Sequence, residues 1–275
     1  MLRIRSLEHV FNAGTVAEIS VLHQLDLDLD DGEFVTIVGS NGAGKSTLFN
    51  AIAGAITPTA GSITVDGNEI TAWPEHKRSR LIGRVFQDPN HGTAPSLTIA
   101  ENVALAMSRG RSSRFRRAIG STKRKQIEVL LEPIGLGLEQ RLDDRVSLLS
   151  GGQRQAMTLA MAAVARPWLL LLDEHTAALD PETARRVLDL TTAVVEEQQL
   201  TTLMITHNMS QAIEFGTRTV MLHKGRILLD LSSEQRRGLT ADDLARRFSS
   251  AGAAEFLSGG VELDEVTPAN DPSHQ

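Results

Sequence analysis

Between residues 21 and 30, apolar Leu25, Leu27 and Leu29 alternate with acidic Asp26, Asp28 and Asp30, the period-two pattern of a strand with one wet face. Asp31 and Gly32 mark a turn. Residues 34–38 are mostly β-branched and do not alternate, which predicts a strand buried on both faces. A glycine-rich stretch follows, and residues 48–56 have helical character. Strands are expected over 62–65 and 81–86, separated by the Asp66-Gly67 turn signal and a polar stretch around Pro74. After Gln87 the character changes to helices near 99–109 and 123–131, joined by a basic linker over 109–117, which reads as a helical insert. A further helix is expected from Ser150 to Ala165, where Pro167 stops it. Strand-like runs at 168–173, 202–206 and 219–223 then alternate with helices near 183–198 and 209–215. This alternation predicts an α/β fold, a largely parallel sheet with helices packed on both faces. Beyond residue 249 Gly, Ser, Pro, Asp and Glu dominate, and a mobile tail over 249–275 is expected.

Composition narrows the function. The chain has 275 residues, enough for one large α/β domain with a substantial core. Its net charge of −6 gives no overall pull toward nucleic acid, so no nucleic-acid partner is expected. It has no cysteine, which excludes disulfide frameworks, thiolate zinc sites and thiol nucleophiles together. A spanning helix needs roughly 20 apolar residues, whereas the purest apolar run, Trp168 to Leu172, stops at Asp173. The N-terminal MLRIRSLEHV carries arginines among its apolar residues and lacks the layout of a secretory signal.

Three motifs carry the chemistry. Gly39, Ser40, Asn41, Gly42, Ala43, Gly44, Lys45, Ser46 and Thr47 fit the phosphate-loop pattern between an expected strand and an expected helix. Glycines let backbone N–H groups turn toward phosphate oxygens, and the helix N-terminus adds positive potential. Lys45 would reach the β and γ phosphates and Ser46 would ligate magnesium. The leucines from Leu169 to Leu172 end in Asp173 and Glu174, a buried strand delivering two carboxylates to the sheet edge where ligands of open α/β sheets bind. Asp173 would hold magnesium, and Glu174 would polarise the water that attacks the γ phosphate. LSGGQ, with Ser150, Gly151, Gly152 and Gln153, places a helix N-cap and two glycines where backbone amides can approach a phosphate. Read alone, each is also a turn or a solvated strand end.

Together, in this order and spacing, the motifs resemble the ATP-binding-cassette ATPase family over roughly residues 2–230. That resemblance implies a P-loop NTPase (RecA-like) core with an antiparallel β part near the N-terminus, one ATPase domain over 1–248 and a helical subdomain over about 89–157 inserted in it. It implies ATP and Mg2+ as ligands. Gln87, in VFQDP, matches the glutamine loop that touches magnesium and attacking water; Asp180, in AALDP, matches the loop that crosses the dimer interface; His207, in ITHNM, matches the switch histidine at the γ phosphate. Phe11 resembles the aromatic residue that stacks on adenine, although its distance from the phosphate loop is longer than usual. His175 stands where the family most often has proline. DEHTAALD with FQDPNHGTAPSLTIAEN looks like a subgroup of bacterial importer ATPases, some linked with aromatic amino-acid uptake.

In this family the signature of one subunit completes the phosphate site of another, so the resemblance implies a homodimer or pseudo-symmetric pair. Membrane permease subunits, a substrate-binding protein and a peripheral position on the cytoplasmic face of the membrane are implied with it. The basic stretch 109–125 is compatible with contact to lipid headgroups or a permease loop, and equally with a solvated face. Two other classes stay open from sequence: a soluble cassette ATPase acting as a nucleotide-gated scaffold, and a nucleotide sensor that does not hydrolyse. Co-purification with a permease separates the first from a transporter, and turnover separates the second.

Overall fold

The computed structural model describes residues 1–109 and 119–250. The basic linker at 109–117 lies almost wholly outside them, and so does the expected tail from residue 251 onward.

In chain order the elements are β1 (Leu2–Phe11), β2 (Ile19–Leu29), β3 (Phe34–Val38), α1 (Lys45–Ala53), β4 (Ala60–Val65), β5 (Asn68–Glu69), α2 (Glu75–Arg78), β6 (Ile82–Val85), α3 (Ile99–Met107) and α4 (Ser121–Leu131). Then come α5 (Gly151–Ala163), β7 (Leu169–Asp173), α6 (Pro181–Gln198), β8 (Thr202–Ile205), α7 (Met209–Glu214), β9 (Arg218–His223), β10 (Arg226–Leu231), α8 (Ser233–Arg236) and α9 (Ala241–Ser250). The last helix ends at Ser250, past the expected domain boundary at 248.

Two sheets result. The antiparallel one has strand order β2-β1-β4-β5, and the other has order β10-β9-β3-β8-β7-β6, parallel throughout except for the β9–β10 hairpin. In β1 the alternation of Leu2 and Ile4 with Arg3 and Arg5 puts the leucine and isoleucine in the core and the arginines outside, where Arg5 pairs with Asp28 of β2. The same alternation works inside the buried β7. Leu169 and Leu171 face α1 and the antiparallel sheet, while Leu170 and Leu172 face α5 and α6. Burying each leucine contributes about 2 kcal/mol, which anchors a strand that must present two carboxylates at its end.

The helices α3 and α4 and one side of α5 enclose a separate core that includes Ile99, Val103, Ile127, Leu131 and Met157. The opposite side of α5, with Leu159, Ala162 and Ala163, packs on the parallel sheet. Helix α5 is thus shared between the two cores. Behind the sheet, α9 sets Leu244 and Phe248 against Met209 and Ala212 of α7. Among the described residues no helix is long and apolar enough to cross a membrane.

Candidate functional site

Strands β3, β6, β7 and β8 lie side by side or nearly so in one parallel sheet, and each delivers a residue of the site from its C-terminal end. This is where open α/β sheets bind ligands. The loop from Gly39 through Thr47 lines a cavity of about 760 Å³, closed by Gln87, Asp173, Glu174 and His207, with Ile19 and Val21 on its apolar side. That volume falls within the range of small-molecule sites.

The loop is shaped by close backbone packing. A Cβ on Gly39 would stand 2.3 Å from the carbonyl oxygen of Leu222, so only glycine lets β3 turn here against β9. Lys45 opens α1, and its side chain is only 6% exposed. Its Nζ donates to the carbonyls of Gly39 at 2.7 Å and Ser40 at 3.2 Å, and lies 4.0 Å from Glu174 Oε1. Burial pulls the ammonium below its ordinary pKa, opposed by Glu174 and Asp173. A buried cation satisfied mainly by carbonyls gains from exchanging them for phosphate oxygens.

Glu174 follows β7 with φ of 42°, a left-handed conformation that is strained for a residue with a side chain. Its N–H donates to Ile205 O at 3.1 Å, which ties the bend to β8. Its Oε2 stands 3.6 Å from His207 Nδ1, within ion-pair reach. His207 holds the carboxyl below its ordinary range, burial opposes this, and Lys45 adds to the lowering. Glu174 is therefore charged at neutral pH, able to orient a water and draw on its proton. His207 sits on a short turn fixed by Asn208, whose side chain accepts from Gln211 N–H at 3.1 Å, and by Thr206, whose hydroxyl donates to Gln211 Oε1 at 2.8 Å.

Ser46, Gln87 and Asp173 offer a hydroxyl, an amide and a carboxylate to one cavity, a hard oxygen set that fits magnesium in company with phosphate oxygens. The described residues contain no group of three or more His, Cys, Asp or Glu arranged for a metal, so an ion here depends on that mixed set and on the nucleotide.

The remaining expected residues lie elsewhere. Ser150 caps α5 in a reciprocal pair with Gln153, its Oγ accepting from Gln153 N–H at 3.3 Å and its own N–H donating to Gln153 Oε1 at 3.2 Å. Neither they nor Gly151 and Gly152 line the cavity of their own chain. A Cβ on Gly152 would stand 2.2 Å from Thr183 Cγ2, so this glycine also lets α5 approach α6. Asp180 caps α6 by accepting from Thr183 N–H at 3.0 Å and is likewise outside the cavity. Phe11 ends β1 and is 38% exposed, with its ring edge-on to His9. It pairs across the hairpin with Ile19, and it is Ile19 and Val21 that reach the cavity. The sequence signal for them was an apolar pair at the start of β2, upstream of the alternation that marks that strand.

His175 is 2% exposed and bonds Thr191 Oγ1 at 3.1 Å. Thr191 spends its proton on Val187 O at 2.7 Å, which makes His175 Nε2 the donor. Burial pushes this imidazole down to about 4. The unfolded chain binds the proton first as pH falls, so the stability His175 contributes is complete above about 6.5 and drains away toward 4. From pH 7.5 to pH 5 the parent is expected to lose about 2 kcal/mol more stability than His175→Gln in urea unfolding. Parallel losses in the two chains would show that the buried imidazole is not the source.

Comparison with known proteins gives a concordant result. Residues 22–177 match the family model described as ABC transporter. The chain is 45% identical over 251 residues to the tyrosine transport ATP-binding protein of Clostridioides difficile (strain R20291), covering 91% of this chain and 100% of that protein. It is 35% identical to the aliphatic sulfonates import ATP-binding protein SsuB of Escherichia coli (strain K12), covering 87% and 83%. Among solved structures, the dimeric post-hydrolysis ATP-binding cassette MJ0796 bound to ADP and Pi superposes with a TM-score of 0.74 at 30% identity, covering 87% of this chain and all of that one. A phosphate loop, a paired Asp-Glu and a histidine gathered at one sheet edge, with a match over more than half the chain, lead to one conclusion: this protein belongs to the ABC transporter family and is its ATP-hydrolysing subunit.

Proposed function

We propose that the chain powers uptake of an amino acid, with tyrosine the first to test, through separate permease subunits fed by a substrate-binding protein. The observation that carries the reading is the meeting of Lys45, Gln87, Asp173, Glu174 and His207 around one cavity that Ser150 of the same chain does not line. The site holds every group for hydrolysis except the serine-capped helix end, which a second copy supplies across a head-to-tail dimer. Asp180 lies at that interface.

The glycine loop and Lys45 bind the phosphates, Ile19 and Val21 with Phe11 beside them offer an apolar edge to the adenine, and Glu174 orients the attacking water. Ser46, Gln87 and Asp173 would hold magnesium, which would supply charge neutralisation for the phosphates. His207 senses the γ phosphate beside Glu174. ATP favours the closed pair and hydrolysis removes that preference, so the difference in binding between two states does the work. The names of the relatives, tyrosine transport in one, aliphatic sulfonates import in another and methionine import in a third, support import and an amino-acid cargo, and a peripheral place on the cytoplasmic face goes with that reading.

Detergent extracts from cells carrying the tagged chain are expected to yield a multi-spanning permease. Vesicles reconstituted from that complex are expected to accumulate labelled tyrosine only with ATP and the binding protein. Recovery with soluble partners alone would remove the transport reading, and accumulation of another solute would replace the cargo.

A further inference from the structure

Arg84 lies on β6 opposite Leu171 of β7. The two-residue repeat of a strand places Asp173 on the same face, within reach. Arg84 Nη2 donates to Asp173 Oδ2 at 2.8 Å, and Nη1 donates to Asn50 Oδ1 at 2.9 Å on α1. The guanidinium carbon stands 4.6 Å over the Phe86 ring, one residue before Gln87. Arg84 and Asp173 are only 13% and 14% exposed, and Arg84 Nε is buried without a hydrogen bond. One side chain thus joins the helix behind the phosphate loop, the metal-facing carboxylate and the strand that leads to Gln87.

We propose that Arg84 is a positioning residue that holds Asp173 by one oxygen and leaves the other set for the divalent cation. The inference rests on the reading of Asp173 as a magnesium-holding group. A carboxylate turns freely about its last torsion, and a cation that binds it must first stop that rotation. Arg84 stops it in advance, which lowers the entropic cost of binding. Repulsion between guanidinium and cation acts the other way. The planar fork offsets it by serving two acceptors on two elements at once, which a lysine ammonium cannot reproduce with the same geometry. Partners of metal-holding groups commonly alter metal affinity by 10- to 100-fold when removed.

The test titrates Mn2+, a paramagnetic stand-in for magnesium, into the full ADP-loaded chain and reads binding by electron paramagnetic resonance. Arg84→Met keeps a stem over Phe86 but removes the fork. It is expected to weaken Mn2+ binding roughly tenfold while ADP affinity in EDTA stays at the parent value. Arg84→Lys is expected to fall between, and it carries the test alone if the methionine variant does not fold. Unchanged or tighter Mn2+ binding in Arg84→Met would overturn the proposal, and so would an equal loss of ADP affinity in EDTA, the mark of a general structural role. Parent-like Mn2+ affinity in Arg84→Lys would remove the fork from the argument. Asp173→Asn separates the two layers: if it leaves Mn2+ binding intact, the metal reading of Asp173 falls; if it weakens binding and Arg84→Met does not, only the positioning role falls.

Discussion

A Glu174→Gln chain is expected to bind ATP as tightly as the parent and to turn it over at least about a hundredfold more slowly. Glutamine keeps the shape of the side chain and removes its charge. Binding survives because Lys45, 4.0 Å away, then faces the phosphates with less competition from a neighbouring anion. Turnover is expected to fail because the carboxylate that His207 holds in its charged form lines the cavity and, on the proposed reading, polarises the attacking water. The γ phosphate then stays in place, and the ATP-joined dimer accumulates instead of cycling. Phosphate release and light scattering after size exclusion measure the two effects. A variant that hydrolyses at the parent rate would remove Glu174 from the mechanism.

Lys45→Ala strikes the opposite step. Charge-assisted hydrogen bonds contribute about 1.5–3 kcal/mol, so loss of the Lys45 ammonium is expected to weaken ATP binding roughly 10- to 100-fold. The fold itself should tolerate the change, since the ammonium is buried at a desolvation cost and its carbonyl partners belong to the adjacent loop. Fluorescent-nucleotide titration in EDTA isolates this term from any metal. Equal affinity in parent and variant would contradict the assigned role, and a large drop in melting temperature without nucleotide would show that Lys45 chiefly supports structure.

The candidate site was legible because its motifs are concentrated in short segments. Gly39 to Thr47 and the Asp173-Glu174 pair each declare themselves within a short stretch of chain, the first where β3 passes into α1 and the second at the end of β7. The inner strands were legible for a related reason: β3, β7 and β8 are buried almost throughout and read as short, mostly apolar runs without alternation, with threonine the only polar residue in β3 and β8. The edges were harder. In β1 the arginines between Leu2, Ile4 and Leu7 are the outer face of a strand, although they argue equally against a signal segment. In β10, Ile227, Leu228 and Leu229 are all half-buried, so no alternation announces the strand. The contact of Arg84 with Asp173 spans 89 residues, and nothing local says that β6 lies beside β7. Phe11 shows the same limit, because the hairpin register decides whether it or Ile19 reaches the nucleotide cavity.

The left-handed backbone at Glu174 sets durability against work. A glutamate held there costs on the order of 1 kcal/mol, whereas asparagine or glycine would sit in that bend more comfortably. Laboratory evolution for heat tolerance alone would therefore drift away from glutamate at 174, and its survivors would be robust but inert.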